Sequence, residues 1–194
     1  ISNMYPEAPI YTLLYDPESM YGAFQGKDIR TSFIQKIPFA KQRHRLFPWL
    51  MPMGIEEFDL AEYDLVISTS NSFAKGVITG ANTLHISYCH TPMRYAWDDC
   101  HRYFNEFRYT RAIKSFLPLA MNYIRMWDKV SASRVDAFVA NSQNVANRIK
   151  KYYQRDSEVV YPPVSVEKFK SNDQNSHEDY FLMVGRFLNY KHYD

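Results

Sequence analysis

The 194-residue sequence predicts an α/β protein with a mostly parallel, doubly wound sheet. Three observations carry this. Apolar runs of strand length alternate with segments of helical pattern along the chain. The clearest run, YDLVISTS from Tyr63 to Ser70, holds Leu65, Val66 and Ile67 without polar alternation, as a strand buried on both faces does. Ser70, Asn71 and Ser142 stand where a strand would hand over to a helix, with side-chain oxygens suited to capping a first turn.

In chain order, Ala8 to Asp16 (APIYTLLYD) reads as a short buried strand stopped at Asp16-Pro17, and Asp28 to Phe39 as a strand rich in β-branched and aromatic residues. After YDLVISTS, NSFAKGVI reads as a short helix and NTLHISYC, Asn82 to Cys89, as the next strand. From Met93 to about Ser133 the pattern is helical, with an interruption expected near Pro118. DAFVANS, Asp136 to Ser142, is a strand, and QNVANRIKKYYQ is a helix capped by Ser142. SEVVYPPV is a short strand that stops at Pro162-Pro163. Tyr180 to Phe187 (YFLMVGRF) reads as one last buried strand, and since a strand cannot bury itself alone it implies the opening of a second domain. The expected division is a first domain over 1–163, a linker over 164–179 that includes polar SNDQNSHED, and the start of a second domain over 180–194.

Composition narrows the function classes. A net charge of +2 leaves no global field to attract nucleic acid. Two cysteines, Cys89 and Cys100, make no disulfide framework and point to a reducing compartment, with Cys89 expected buried and Cys100 exposed. No run reaches the length of a membrane span, and ISNMYPEAPI has neither the basic nor the apolar region of a signal peptide. The aromatic share of 16% suits an aromatic-rich core, or a groove that stacks on sugars or lipids.

The side chains with chemical potential gather in SYCHTPMRYAWDD, Ser87 to Asp99. In a doubly wound sheet, ligands sit at the carboxyl ends of the strands. His90 leaves a strand at such an end, and Pro92 disfavours helix at Thr91, so the chain turns there. The imidazole could bind a hydroxyl or phosphate, act as acid or base, or be satisfied by local backbone. Cys89-His90 and Cys100-His101 make a poor zinc set, because adjacent residues at a strand end point to opposite sides. Asp98 and Asp99 are expected to favour a helix dipole rather than to pair for catalysis. The six glycines form neither G-x-G-x-x-G nor a Walker loop, although STSNS could offer backbone N–H groups to an anion. Arg186 and Lys191, after the last strand, suit a diphosphate. Lys36 to Met53 interleaves Lys36, Lys41, Arg43 and Arg45 with Phe39, Phe47, Trp49, Leu50 and Met51, a pattern fit for anionic headgroups or for packing on the sheet.

Five blocks in order, YDLVISTSNSFAKGVIT, HISYCHTPMRYAWD, DAFVANSQNVANRIKKYY, VVYPPVSVEKF and YFLMVGRFLNYK, resemble glycosyltransferase family 4, and more narrowly its mannosyltransferase-like members that build cell-surface polysaccharides. The resemblance implies the GT-B architecture of two Rossmann-like domains facing a cleft. The acceptor is then held mostly by the first domain and the nucleotide-sugar donor mostly by the second. It implies transfer with retention of configuration and no cofactor or metal. His90 matches the family's active-site histidine, which approaches the donor sugar. Arg186 and Lys191 match the basic pair that holds the donor diphosphate, offsetting charge on the leaving nucleotide. The family's opening strand with its glycine-containing loop, and the E-x7-E pair of its second domain, have no counterpart in these 194 residues, and His192 stands where an Arg is usual. The expectation is therefore an N-terminal GT-B domain incomplete at both ends.

The function so implied is transfer of a hexose, mannose being one candidate, to a lipid-linked or polysaccharide acceptor, with these residues alone expected to lack turnover. The expected setting is the cytoplasm, with the basic aromatic segment as a peripheral contact on the inner face of the membrane, and nucleic acid excluded as a partner. The alternative is a non-catalytic module from a split or decayed transferase gene that binds a glycan or a partner half.

Overall fold

The computed structural model describes residues 1–43, 48–98, 100, 111–166, 180–181 and 183–185. The chain divides into two compact units, Ile1–Pro162 and Pro163–Asp194.

The first unit is α/β with two parallel sheets. Strands β1 (Ile10–Thr12) and β2 (Ile29–Thr31) form a two-stranded parallel pair. Strands β3 (Leu65–Ser70), β4 (Leu84–Cys89), β5 (Ala137–Ala140) and β6 (Glu158–Val159) form a four-stranded parallel sheet in that order. Helices α1 (Ala40–Arg43) and α2 (Met51–Glu56) precede β3. Helix α3 (Arg111–Ser131) crosses from β4 to β5, and α4 (Gln143–Tyr153) from β5 to β6.

Several elements are shorter than their sequence patterns suggest. The expected strand Asp28 to Phe39 stops at Thr31, because Ser32 caps a 3-10 turn over Phe33–Lys36. Its hydroxyl accepts from the Ile34 N–H at 3.2 Å and donates to the Leu13 carbonyl at 2.9 Å. The segment after β3 forms only a 3-10 turn, Ala74–Gly76, rather than a helix. There Ser70 Oγ accepts from the Ser72 N–H at 2.7 Å, a local turn that competes with helical capping. Pro118 does not interrupt α3, which runs through it. One lost backbone bond is outweighed by the buried face of Ala120, Met121, Ile124, Trp127 and Asp128. Ser142 caps α4 as expected, accepting from the Val145 N–H at 3.3 Å.

Two apolar clusters hold the sheet. One joins Ile34, Met51, Ile55, Phe58, Phe73, Met93, Ile124 and Trp127. The other joins Cys89, Val135, Phe138, Ala140, Val145, Ile149 and Tyr153. In the second unit, Tyr180, Phe181, Met183 and Val184 are exposed, and no strand is formed among its described residues. Leu182, Arg186 and Phe187 of the expected strand Tyr180 to Phe187 lie outside the described residues.

Candidate functional site at the carboxyl edge of the sheet

The strand register brings four chain ends level. Ser70 pairs with Cys89, Cys89 with Ala140, and Ala140 with Val159. The next residues, Asn71, His90, Asn141 and Val160, therefore form one row across the carboxyl edge. Backbone bonds extend the ladder into that row. The His90 N–H donates to Ser70 O at 3.1 Å and the Val160 N–H to Ala140 O at 2.9 Å.

His90 is exposed, while Cys89 beside it is buried on the opposite face. That is the strand alternation which argues against a shared ion. The His90 Nε2 lies 3.2 Å from Thr69 Oγ1, and its ring meets Tyr88 edge-on at 5.3 Å. The imidazole is thus oriented by a hydroxyl and an aromatic ring without being enclosed, and it can still reach a ligand. Ser72, whose Oγ is 2.8 Å from the Tyr95 hydroxyl, and the Asn141-Ser142 pair supply further polar groups at the same edge.

The loop after His90 is pinned from below. Pro92 and Met93 are buried. The Trp97 indole N–H donates to Asp128 Oδ2 at 2.7 Å, and Arg125 donates to the Ala96 carbonyl at 2.8 Å. Trp97 also stacks on Tyr152 at 4.8 Å. Asp98 reaches α4, accepting from the Tyr152 hydroxyl and pairing with Arg148, instead of capping a helix. Asp99 lies outside the described residues.

Asp128 is the centre of a buried hub that the sequence reading missed. It pairs with Lys75, which also donates to Ser131 Oγ at 3.3 Å, and it accepts from the Tyr153 hydroxyl at 3.2 Å. The Lys75 ammonium lies 5.3 Å from the Trp127 ring centre and 5.1 Å from that of Tyr153. Burial pushes the Lys75 pKa down, partly offset by Asp128, and pushes the neighbouring Cys89 thiol up to about 12. The available signal was a lone lysine inside the small, apolar run FAKGVI, but nothing in the sequence named its partner 53 residues away. Cys100 is also buried, with its sulfur accepting from Arg125 at 3.3 Å, so its expected exposure is corrected.

A second histidine, His85, is buried at the amino end of β4. Its Nε2 is 2.9 Å from Ser68 Oγ, and burial pushes its pKa down to about 4. A shallow cavity of about 430 Å³ is lined by Tyr11, Arg30, Asp59, Ala61 and Glu62, next to the entry into β3 and away from the carboxyl edge. Arg186 and Lys191 lie outside the described residues. Among the described residues no helix is long and apolar enough to cross a membrane.

No curated protein and no solved structure matches the chain. The family model described as Glycosyltransferase Family 4 matches residues 10–168, which take in both sheets and the whole edge that carries His90. The chain therefore belongs to glycosyltransferase family 4.

Proposed function

We propose that this protein contributes the acceptor side of a retaining hexosyltransferase, which moves a sugar from a nucleotide donor to a lipid-linked or polysaccharide acceptor. The observation that supports this most directly is His90. It is exposed at the carboxyl end of β4, held by Thr69 and Tyr88, inside the region matched by the family. Parallel α/β sheets bind their ligands at this edge.

In the transfer, the bond from the sugar's anomeric carbon to the donor diphosphate breaks and a bond to an acceptor hydroxyl oxygen forms. The nucleoside diphosphate leaves with the electron pair, and the hydroxyl proton is released. His90 contacts the donor sugar in this reading, while Arg186 and Lys191 hold the diphosphate and offset its growing charge. The domain division at 163–164 belongs to the same reading, as do the cytoplasmic setting and the peripheral membrane contact.

A donor screen on the full-length protein tests it, with GDP-mannose as the first nucleotide sugar. The expected result is consumption of one donor in the presence of acceptor. His90→Ala should lower kcat by about 100-fold or more while changing acceptor binding much less. Absence of turnover for every donor would remove the catalytic reading, and an unchanged kcat in His90→Ala would leave His90 a structural residue.

A further inference from the structure

Helix α3 has two faces of opposite design. Inward, Ala120, Met121, Ile124, Trp127, Asp128 and Ser131 are buried. Outward, Leu119, Tyr123, Met126 and Val130 are 63, 44, 60 and 61% exposed. Their spacing of four, three and four residues sets them within about 60° of one another on a helix, along roughly 16 Å of its length. A soluble helix normally turns charge to water at such positions. Here four exposed apolar side chains stand in one row.

The charge written into α3 is of one sign apart from one buried carboxylate. The sequence of α3 carries Arg111, Lys114, Arg125 and Lys129 against a single carboxylate, Asp128. That carboxylate is fully buried and taken by Lys75, Trp97 and Tyr153, so it offers nothing to the outer surface. Lys129 stands three residues from Met126, beside the stripe.

We infer that this outer face of α3 is a docking surface for an anionic lipid bilayer. Apolar side chains with Tyr among them, beside Lys129 and with no outward carboxylate on the helix, match acyl chains beneath negative headgroups. A second copy of the chain is the poorer complement. Two facing stripes would bring Lys129 and its like-charged border together, and α3 has no outward carboxylate to answer them, whereas helix pairs use opposite charges beside the seam. The inference rests on the lipid-linked acceptor reading for its purpose, because a surface-bound acceptor is reached by a protein held at that surface. Its physical argument stands on α3 alone.

The test is flotation of the full-length protein with vesicles of phosphatidylcholine containing phosphatidylglycerol, against phosphatidylcholine alone. The wild type should float with the anionic vesicles, bind the neutral ones at least about tenfold more weakly, and lose binding as salt rises. Met126→Glu with Val130→Glu should cut anionic binding by about tenfold or more, since each leaves the acyl region. Met126→Ser with Val130→Ser should give an intermediate loss and guards against a folding artefact, with circular dichroism melting as the check. Wild type that stays with the aqueous phase would overturn the inference. So would an acidic double variant that is folded and floats like wild type, or a wild-type dimer in sedimentation that this variant turns to monomer. Turnover of a nucleotide sugar on a water-soluble acceptor, without vesicles, is read separately, so loss of either result leaves the other standing.

Discussion

His85 and His90 sit on the same strand and its continuation, yet their surroundings give them opposite uses. His85 is buried at the amino end, hydrogen-bonded to Ser68, and held neutral, with its pKa lowered to about 4 by burial. The unfolded chain binds this proton near pH 6.5, so it takes up more protons than the fold between pH 6.5 and 4. Stability from this group is thus complete above about pH 6.5 and falls as pH drops toward 4, by roughly 3 kcal/mol in all. Urea titrations from pH 7 to 4 should show that slope, and a folded His85→Gln variant should flatten it. The Lys75–Asp128 pair makes a second residue-level prediction. Asp128→Asn or Lys75→Met leaves one buried charge without its partner, and each should cost about 3–5 kcal/mol in denaturant unfolding. A cost below about 1 kcal/mol for both would mean that the ammonium and carboxylate are already separated by water. The Cys89 thiol, buried and raised to about 12, should resist alkylation at pH 8 until the protein unfolds.

At the scale of elements, the turn after β3 is set by a close approach. A Cβ on Gly76 would stand 2.3 Å from Trp127 Cζ2 and 2.4 Å from Cη2, so only a glycine lets the ring approach this close, next to the Lys75–Asp128 pair. Gly76→Ala should therefore destabilise by about 1–3 kcal/mol, measured as a shift in the urea midpoint at constant slope. The loop after β4 depends on the same hub through Trp97. Trp97→Phe keeps a ring against Tyr152 but removes the indole donor to Asp128, and it should loosen the loop that follows His90. Amide exchange at residues 93–98 is the measurement, and protection equal to wild type would show that Arg125 and the Asp98 contacts hold the loop without it.

At the scale of the whole molecule, the parallel register assembles the functional edge from Asn71, His90, Asn141 and Val160, which lie up to 89 positions apart in the chain. Activity at that edge is predicted to need the basic pair as well. Replacing Arg186 or Lys191 with Ala in the full-length protein should weaken donor binding by about 1.5–3 kcal/mol for each charged hydrogen bond lost. Calorimetric titration of the nucleotide sugar measures this, and a smaller effect at both positions would leave the diphosphate role of the pair unsupported.

The sequence by itself determined the strand order in the chain, the parallel α/β class and the place of His90. Apolar runs such as Leu65 to Ile67, the Ser142 cap and the Thr91-Pro92 break are local signals, read within a few residues. It also carried the family, through blocks spread along residues 10–168. Only the tertiary structure decided that NSFAKGVI is a turn, that α3 runs through Pro118 and that Cys100 is buried. Each of these depends on a partner distant in sequence, such as Trp127 for Gly76 and Arg125 for Cys100. Lys75 and Asp128 show the reason most plainly. A charge can enter the core only where another element brings its counter-charge, and no local pattern records that meeting.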